Sequence, residues 1–171
     1  VIQKASEKLS KIGSNFTIIR DNFVNLKDQL KAFNVEYVDG VLYDLGVSSF
    51  QFDIKERGFS YHQEAVLDMR MNQDSGLTAY TIVNTYSYED LKEVFYKYGE
   101  ERYAPNIARR IIKQREQKPI ETTVELAELI KESVPPAVRR AKGHPAKQVF
   151  QALRIAVNDE LNVFEKSLND A

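Results

Sequence analysis

Apolar residues open the chain at Ile2, Ala5, Leu9 and Ile12, in steps of three and four. That spacing predicts one face of a helix, and Gly13 stands where a left-handed C-terminal residue belongs. Phe16–Ile19 is a short β-branched and aromatic run, which predicts a strand. Val24–Phe33 has the pattern of a short helix. Val38–Leu45 (VDGVLYDL) is an apolar run ending in a carboxylate and then Gly46. It predicts a buried strand whose C-terminal end opens into a loop. Gly46–Gly76 has no period. A loop that long is functional or disordered, and its Phe50, Phe52, Phe59, Tyr61, Leu67, Met69 and Met71 predict that it is ordered and packed.

Helices dominate from Leu77 onward. Ser87 precedes Leu91, Val94, Phe95 and Tyr98, with Asp90 at the third helical position and Gly99 as the stop. A second helix carries Tyr103, Ile107 and Ile111 on one side and Arg109, Arg110, Lys113 and Arg115 on the other. Thr122 with Glu125 predicts a capping box for a third, which Pro135 and Pro136 break. One long helix is expected through Phe150, Leu153, Val157, Leu161, Phe164 and Leu168. Two strands do not make a stable sheet alone. The pattern therefore predicts either pairing with a second copy or an origin in a longer chain.

Composition bounds the class. Hydrophobic residues are 43% and charged residues 29% of the 171 residues, a globular mixture rather than a disordered one. No window reaches the ~18 consecutive apolar residues of a membrane span. The absence of cysteine removes disulfides and thiolate metal sites, and two histidines, His62 and His144, argue against a His-based metal site. A reducing cytoplasm is the expected compartment. The net charge of −1 hides an asymmetry. Residues 1–101 carry 11 Lys/Arg against 16 Asp/Glu, residues 102–154 carry 12 against 5, and residues 155–171 carry 1 against 4. A basic middle block is the footprint of a surface that meets phosphates, or of solvated helix faces.

The stretch with most chemistry is DGVLYDLGVSSFQ, Asp39–Gln51. A carboxylate at the end of a buried strand, followed by a Gly-containing loop, sits where ligands bind in open α/β sheets. Asp44 can accept hydrogen bonds from a ligand amine or hydroxyl, or it can cap the turn that Gly46 makes.

At this stretch the chain resembles the bacterial ribosomal RNA small-subunit methyltransferase H family. DLGVSSFQ is similar to that family's DLGVSSPQ. RGFSY (Arg57–Tyr61), LDMRMN (Leu67–Asn72), GEERYAPNIARRI (Gly99–Ile111), KPIETTVELAELI (Lys118–Ile130) and HPAKQVFQALRIAVNDEL (His144–Leu161) match further family blocks in order. Phe50 replaces a proline, Asn72 an aspartate, and Lys147 one of a Thr-Arg pair.

The resemblance implies an α/β fold: part of a doubly wound S-adenosylmethionine-dependent methyltransferase domain with a large all-helical insertion. Residues 1–50 are expected in the methyltransferase domain, 51–147 in the loop and RNA-recognition insert, and 148–171 in a returning helix. It implies methyl transfer to N4 of a cytidine in the decoding region of 16S ribosomal RNA, within the small subunit. The cofactor-binding positions carried over are Phe23, along the adenine, Asp44 and Gln51. Asp44 is also the candidate catalytic acceptor for the target amine; no metal is implied. Phe50, Phe59 and Tyr61 are candidates to stack on the flipped base, with core packing the commoner fate. Arg109, Arg110, Lys113, Arg115, Arg139, Arg140, Lys142 and Lys147 are the candidate RNA contacts, whereas Arg154 is expected to pair internally.

The family's glycine-rich cofactor loop, the acidic residue after its second strand and its later strands have no counterpart here. The chain is therefore expected to be the middle of a longer enzyme. Alone it is expected to bind cofactor weakly, to turn nothing over and to self-associate through exposed strand edges. A non-catalytic helical RNA-binding module and a small-molecule methyltransferase of the same fold are the alternatives. Salt-dependent RNA binding separates them.

Overall fold

A computed structural model describes residues 2–171, the Phe50 side chain excepted. The described helices are α1 (Ile2–Leu9), α2 (Leu26–Ala32), α3 (Ser49–Asp53), α4 (Ala79–Thr85) and α5 (Tyr88–Gly99). They continue with α6 (Ala104–Arg115), α7 (Thr123–Ser133), α8 (Pro136–Arg139), α9 (Lys147–Asn158) and α10 (Glu160–Asp170). The chain divides into two compact units. One holds the residues up to Leu45 with Leu161–Ala171, and the other is Gly46–Glu160.

In the first unit the expected strands do not form. Phe16–Ile19 and Val38–Leu45 take up no regular structure, so the doubly wound sheet is absent among the described residues. The reason is pairing. A strand's backbone groups need a neighbouring ladder, and none lies beside these runs. Their apolar side chains consequently stay open: Leu42 is 95% exposed, Val38 47% and Val41 41%. Order here comes from one aromatic cluster. The Tyr43 ring meets Phe164 and Phe23 edge-on at 5.1 and 5.8 Å. Ser167 Oγ donates to the Phe23 carbonyl at 3.0 Å and lies 2.8 Å from the Tyr43 hydroxyl. A serine has one proton to give, so Tyr43 is the donor of that second bond.

The second unit is a helical bundle. Its core is Leu91, Val94 and Phe95 of α5, Ile107 and Ile111 of α6, Leu126 and Ile130 of α7, and Val149, Phe150 and Leu153 of α9. Gly99 lets α5 close on α9, because a Cβ there would meet the Gln148 carbonyl oxygen at 2.5 Å. The expected capping boxes form: Ser87 with Asp90, and Thr122 with Glu125. The expected single long helix is instead two. Asp159 breaks it with a left-handed φ of 50° between α9 and α10, a conformation that Asp tolerates better than most residues.

The long loop is ordered, as its apolar content predicts. Leu67 and Met69 are fully buried. Gly58 takes φ 70° where a Cβ would lie 2.3 Å from the Val66 carbonyl oxygen, so glycine is required twice over. Arg57 Nη2 donates to the carbonyls of Arg70 and Met71 at 2.6 and 2.9 Å. Arg70 forks onto Asp68, with bonds of 3.0 and 2.7 Å, and its remaining nitrogen holds the Gln73 and Ser75 carbonyls. Burial opposes ionisation of Asp68, but the bonds and charge of Arg70, with the charge of Arg57, hold its carboxyl below the usual range. Asn158 of α9 accepts from Met71 N–H and donates to the Met69 carbonyl. The arginines of the RGFSY and LDMRMN blocks thus build the loop.

Candidate cofactor and nucleotide sites

Phe23 and Asp44 both lie in the first unit. Asn22 caps the turn that carries Phe23 by accepting from Val24 N–H at 3.1 Å. The Phe23 ring is 40% exposed and buttressed at its edge by Tyr43. It offers a ring face, as an adenine platform needs. Asp44 follows Tyr43 directly. Its carboxylate is exposed and makes no hydrogen bond or ion pair among the described residues. An exposed ring offers a nucleoside a stacking face, and an uncommitted carboxylate offers an acceptor for its hydroxyl or amine donors.

Gln51 lies in the second unit. Ser48 Oγ accepts from Gln51 N–H, while Gln51 Oε1 accepts from the Ser48 N–H and hydroxyl at 3.0 Å. This capping box starts α3. Its amide NH2 remains available to a ligand.

A cavity of about 220 Å³ opens behind this loop, lined by Phe52, Phe59, Tyr61, Phe150, Lys147 and Arg154 among others. It is smaller than the ~300–1,000 Å³ of drug-sized ligand sites, and so suits something of the size of one base. Phe59 is 6% exposed and belongs to the core. Tyr61 stacks on His144 at 4.7 Å and meets Phe150 edge-on at 5.4 Å, so one of its faces is already covered. The Phe50 side chain lies outside the described residues. Phe52, expected to be packed with the other loop aromatics, is instead 42% exposed at the edge of the cavity. Arg154 pairs with Glu160 at 2.8 Å, as expected, and packs beside Gly46.

The basic residues divide by what their heads touch. Arg115 donates to the Val83 and Tyr86 carbonyls at 2.8 and 2.6 Å, and burial pulls its pKa down. Arg139 donates to the Val134 and Glu132 carbonyls. Arg110 meets Glu132 at 3.0 Å on the surface. Arg109, Lys113, Arg140, Lys142 and Lys147 are exposed and make no such bond among the described residues.

Residues 1–171 match a methyltransferase family model along the whole chain. The family is the MraW methylase family, and the chain belongs to it. Its members are S-adenosylmethionine-dependent methyltransferases.

Proposed function

We propose that the enzyme to which this chain belongs methylates N4 of a cytidine in the decoding region of 16S ribosomal RNA, with S-adenosylmethionine as donor. The supporting observation is the base-sized aromatic cavity lined by Val47, Phe52, Phe59 and Tyr61 and edged by Lys147 and Arg154 of α9. Phe23 and Asp44 would hold the cofactor, the ring along its adenine and the carboxylate on its donors, and Gln51 would close the loop.

When bound, the cofactor supplies an electrophilic methyl group on a sulfonium. The amine that received it would lose one proton, and the exposed Asp44 carboxylate is an acceptor this chain would offer for it. The chain's part is alignment and hydrogen-bond acceptance. N4 is a weak nucleophile because its lone pair is conjugated with the ring. An acceptor on its hydrogens localises that pair. Asp44 and the backbone carbonyls beside it supply such acceptors, to the amine or to the cofactor. Phe52, at the edge of the cavity, offers a face for the flipped base.

Transfer of labelled methyl to small ribosomal subunits tests this, with the full-length enzyme and its Asp44→Ala variant. Label in the decoding-region cytidine, reduced by about 100-fold or more in the variant, is expected. Unchanged cofactor binding in that variant would assign Asp44 to the amine, and weakened binding would assign it to the cofactor. Absence of label on RNA from an intact enzyme would overturn the substrate.

A further inference from the structure

An open groove of about 690 Å³ borders the aromatic cavity, lined by Lys97, Glu101, Arg102, Lys142, Lys147 and Gln151 among others. Groove and cavity share Lys147 and Gln151 on the first turns of α9. A strand with one base in the cavity therefore reaches the groove with its neighbouring nucleotide.

Glu101 is the unusual residue there. It is 4% exposed, a carboxylate among the buried residues. Its backbone N–H closes the end of α5 on the Phe95 carbonyl at 3.1 Å. Oε1 accepts from Tyr103 N–H at 2.8 Å, at the entry to α6. Oε2 makes no hydrogen bond or ion pair among the described residues. It is not sealed in either, because the sole sealed and unpartnered side-chain polar atom among those residues is Arg57 Nε. That oxygen opens on the groove that Glu101 lines, so its hydrogen-bond donor is whatever occupies the groove, water or a ligand. Fixing the start of α6 explains Oε1 and leaves Oε2 unused.

We propose that this groove is a second nucleotide subsite, in which Glu101 Oε2 accepts a hydrogen bond from the amino group of the base next to the target cytidine. This rests on the RNA methyltransferase reading above. The charge pattern sets the polarity: the carboxylate repels phosphate, and Lys97, Lys142 and Lys147 attract it, so the base edge turns to Glu101. An exocyclic amine is the matching donor. Uracil is disfavoured, because its single N–H is flanked by two carbonyl oxygens that face the carboxylate.

The test uses the full-length enzyme and short single-stranded RNAs that keep the target cytidine. Each neighbour of that cytidine is in turn adenine or nebularine, a purine of the same shape without the amine, and affinity is read by fluorescence anisotropy. At one of the two neighbours the adenine RNA is expected to bind about tenfold tighter. Glu101→Gln keeps an oxygen for Tyr103 N–H but presents an NH2 to the groove, so that ratio should fall to about one with melting unchanged. Equal affinity at both neighbours in the unaltered enzyme overturns the subsite, as does a ratio that survives in Glu101→Gln. The first of these needs no variant to fold. If no RNA binds the unaltered enzyme, the RNA reading itself falls, and the subsite with it.

Discussion

Asn158 makes three hydrogen bonds: from Met71 N–H at 2.6 Å, and to the Met69 and Arg154 carbonyls at 2.8 Å. Two of those partners lie in the long loop, so one side chain of α9 fastens the loop. Replacing Asn158 by Ala strands loop groups that cannot all reach water. A loss of about 1–3 kcal/mol is expected, read as a lower denaturant midpoint at constant slope. His144 is a second residue whose surroundings decide its behaviour. Burial is the first cause that holds its pKa below the ordinary 6.5, with the charges of His62 and Lys131 adding to it and that of Glu128 opposing. The folded state therefore resists a proton that the unfolded chain takes up. Stability is highest above pH 6.5 and declines as pH falls below it, until the lower folded value is reached. Thermal melts across that window are expected to show the decline. His144→Phe keeps a ring against Tyr61 and should flatten it.

At the scale of elements, α5 and α9 meet because Gly99 carries no side chain. Helix propensity alone would make Gly99→Ala stabilising by about 0.5–1 kcal/mol. The contact opposes this: the new methyl meets a carbonyl oxygen, which belongs to the backbone of α9 and cannot swing aside. Overpacking costs about 1–3 kcal/mol, so net destabilisation is expected, measured by chemical denaturation. Most helix limits here are local. Ser87 and Thr122, each with an acidic residue three positions on, announce their helices in the sequence. The break between α9 and α10 is different, because apolar steps of three and four run straight through it. Asp159 adopts its left-handed turn in the folded chain.

For the whole molecule, the proposed RNA surface is smaller than the count of basic residues. Arg115 and Arg139 hold backbone carbonyls and Arg110 has a surface carboxylate as partner, which leaves Arg109, Lys113, Arg140, Lys142 and Lys147 as the proposed phosphate contacts. At about 0.7 per phosphate contact on single strands, five contacts give a slope of about −3.5 for log affinity against log salt. Arg115→Ala is expected to lower the melting temperature and leave that slope unchanged. Arg140→Ala or Lys142→Ala should lower its magnitude by about 0.7 each. The first unit differs from the bundle. Amides of Val38–Leu45 have no ladder, so hydrogen exchange in the 171-residue chain should be fast there and slow in α9.

The sequence by itself determined α5, α6, α7 and the course of α9, the caps of α5 and α7, and the order in the long loop. Period, capping pairs and apolar content act between residues close in the chain. The collinear blocks likewise carried the family. Tertiary structure decided what depends on distant partners. Val38–Leu45 reads as a strand yet stays unpaired, because a ladder needs a second strand at its side. Arg115 reads as an RNA-facing cation, yet it holds two carbonyls, as Arg57 and Arg70 also do, because a guanidinium's partners are set by whichever acceptors the fold brings within reach. Glu101 reads as one acidic residue among many. Only the closing of α5 onto α9 and α6 buries its carboxylate and leaves one oxygen for a ligand.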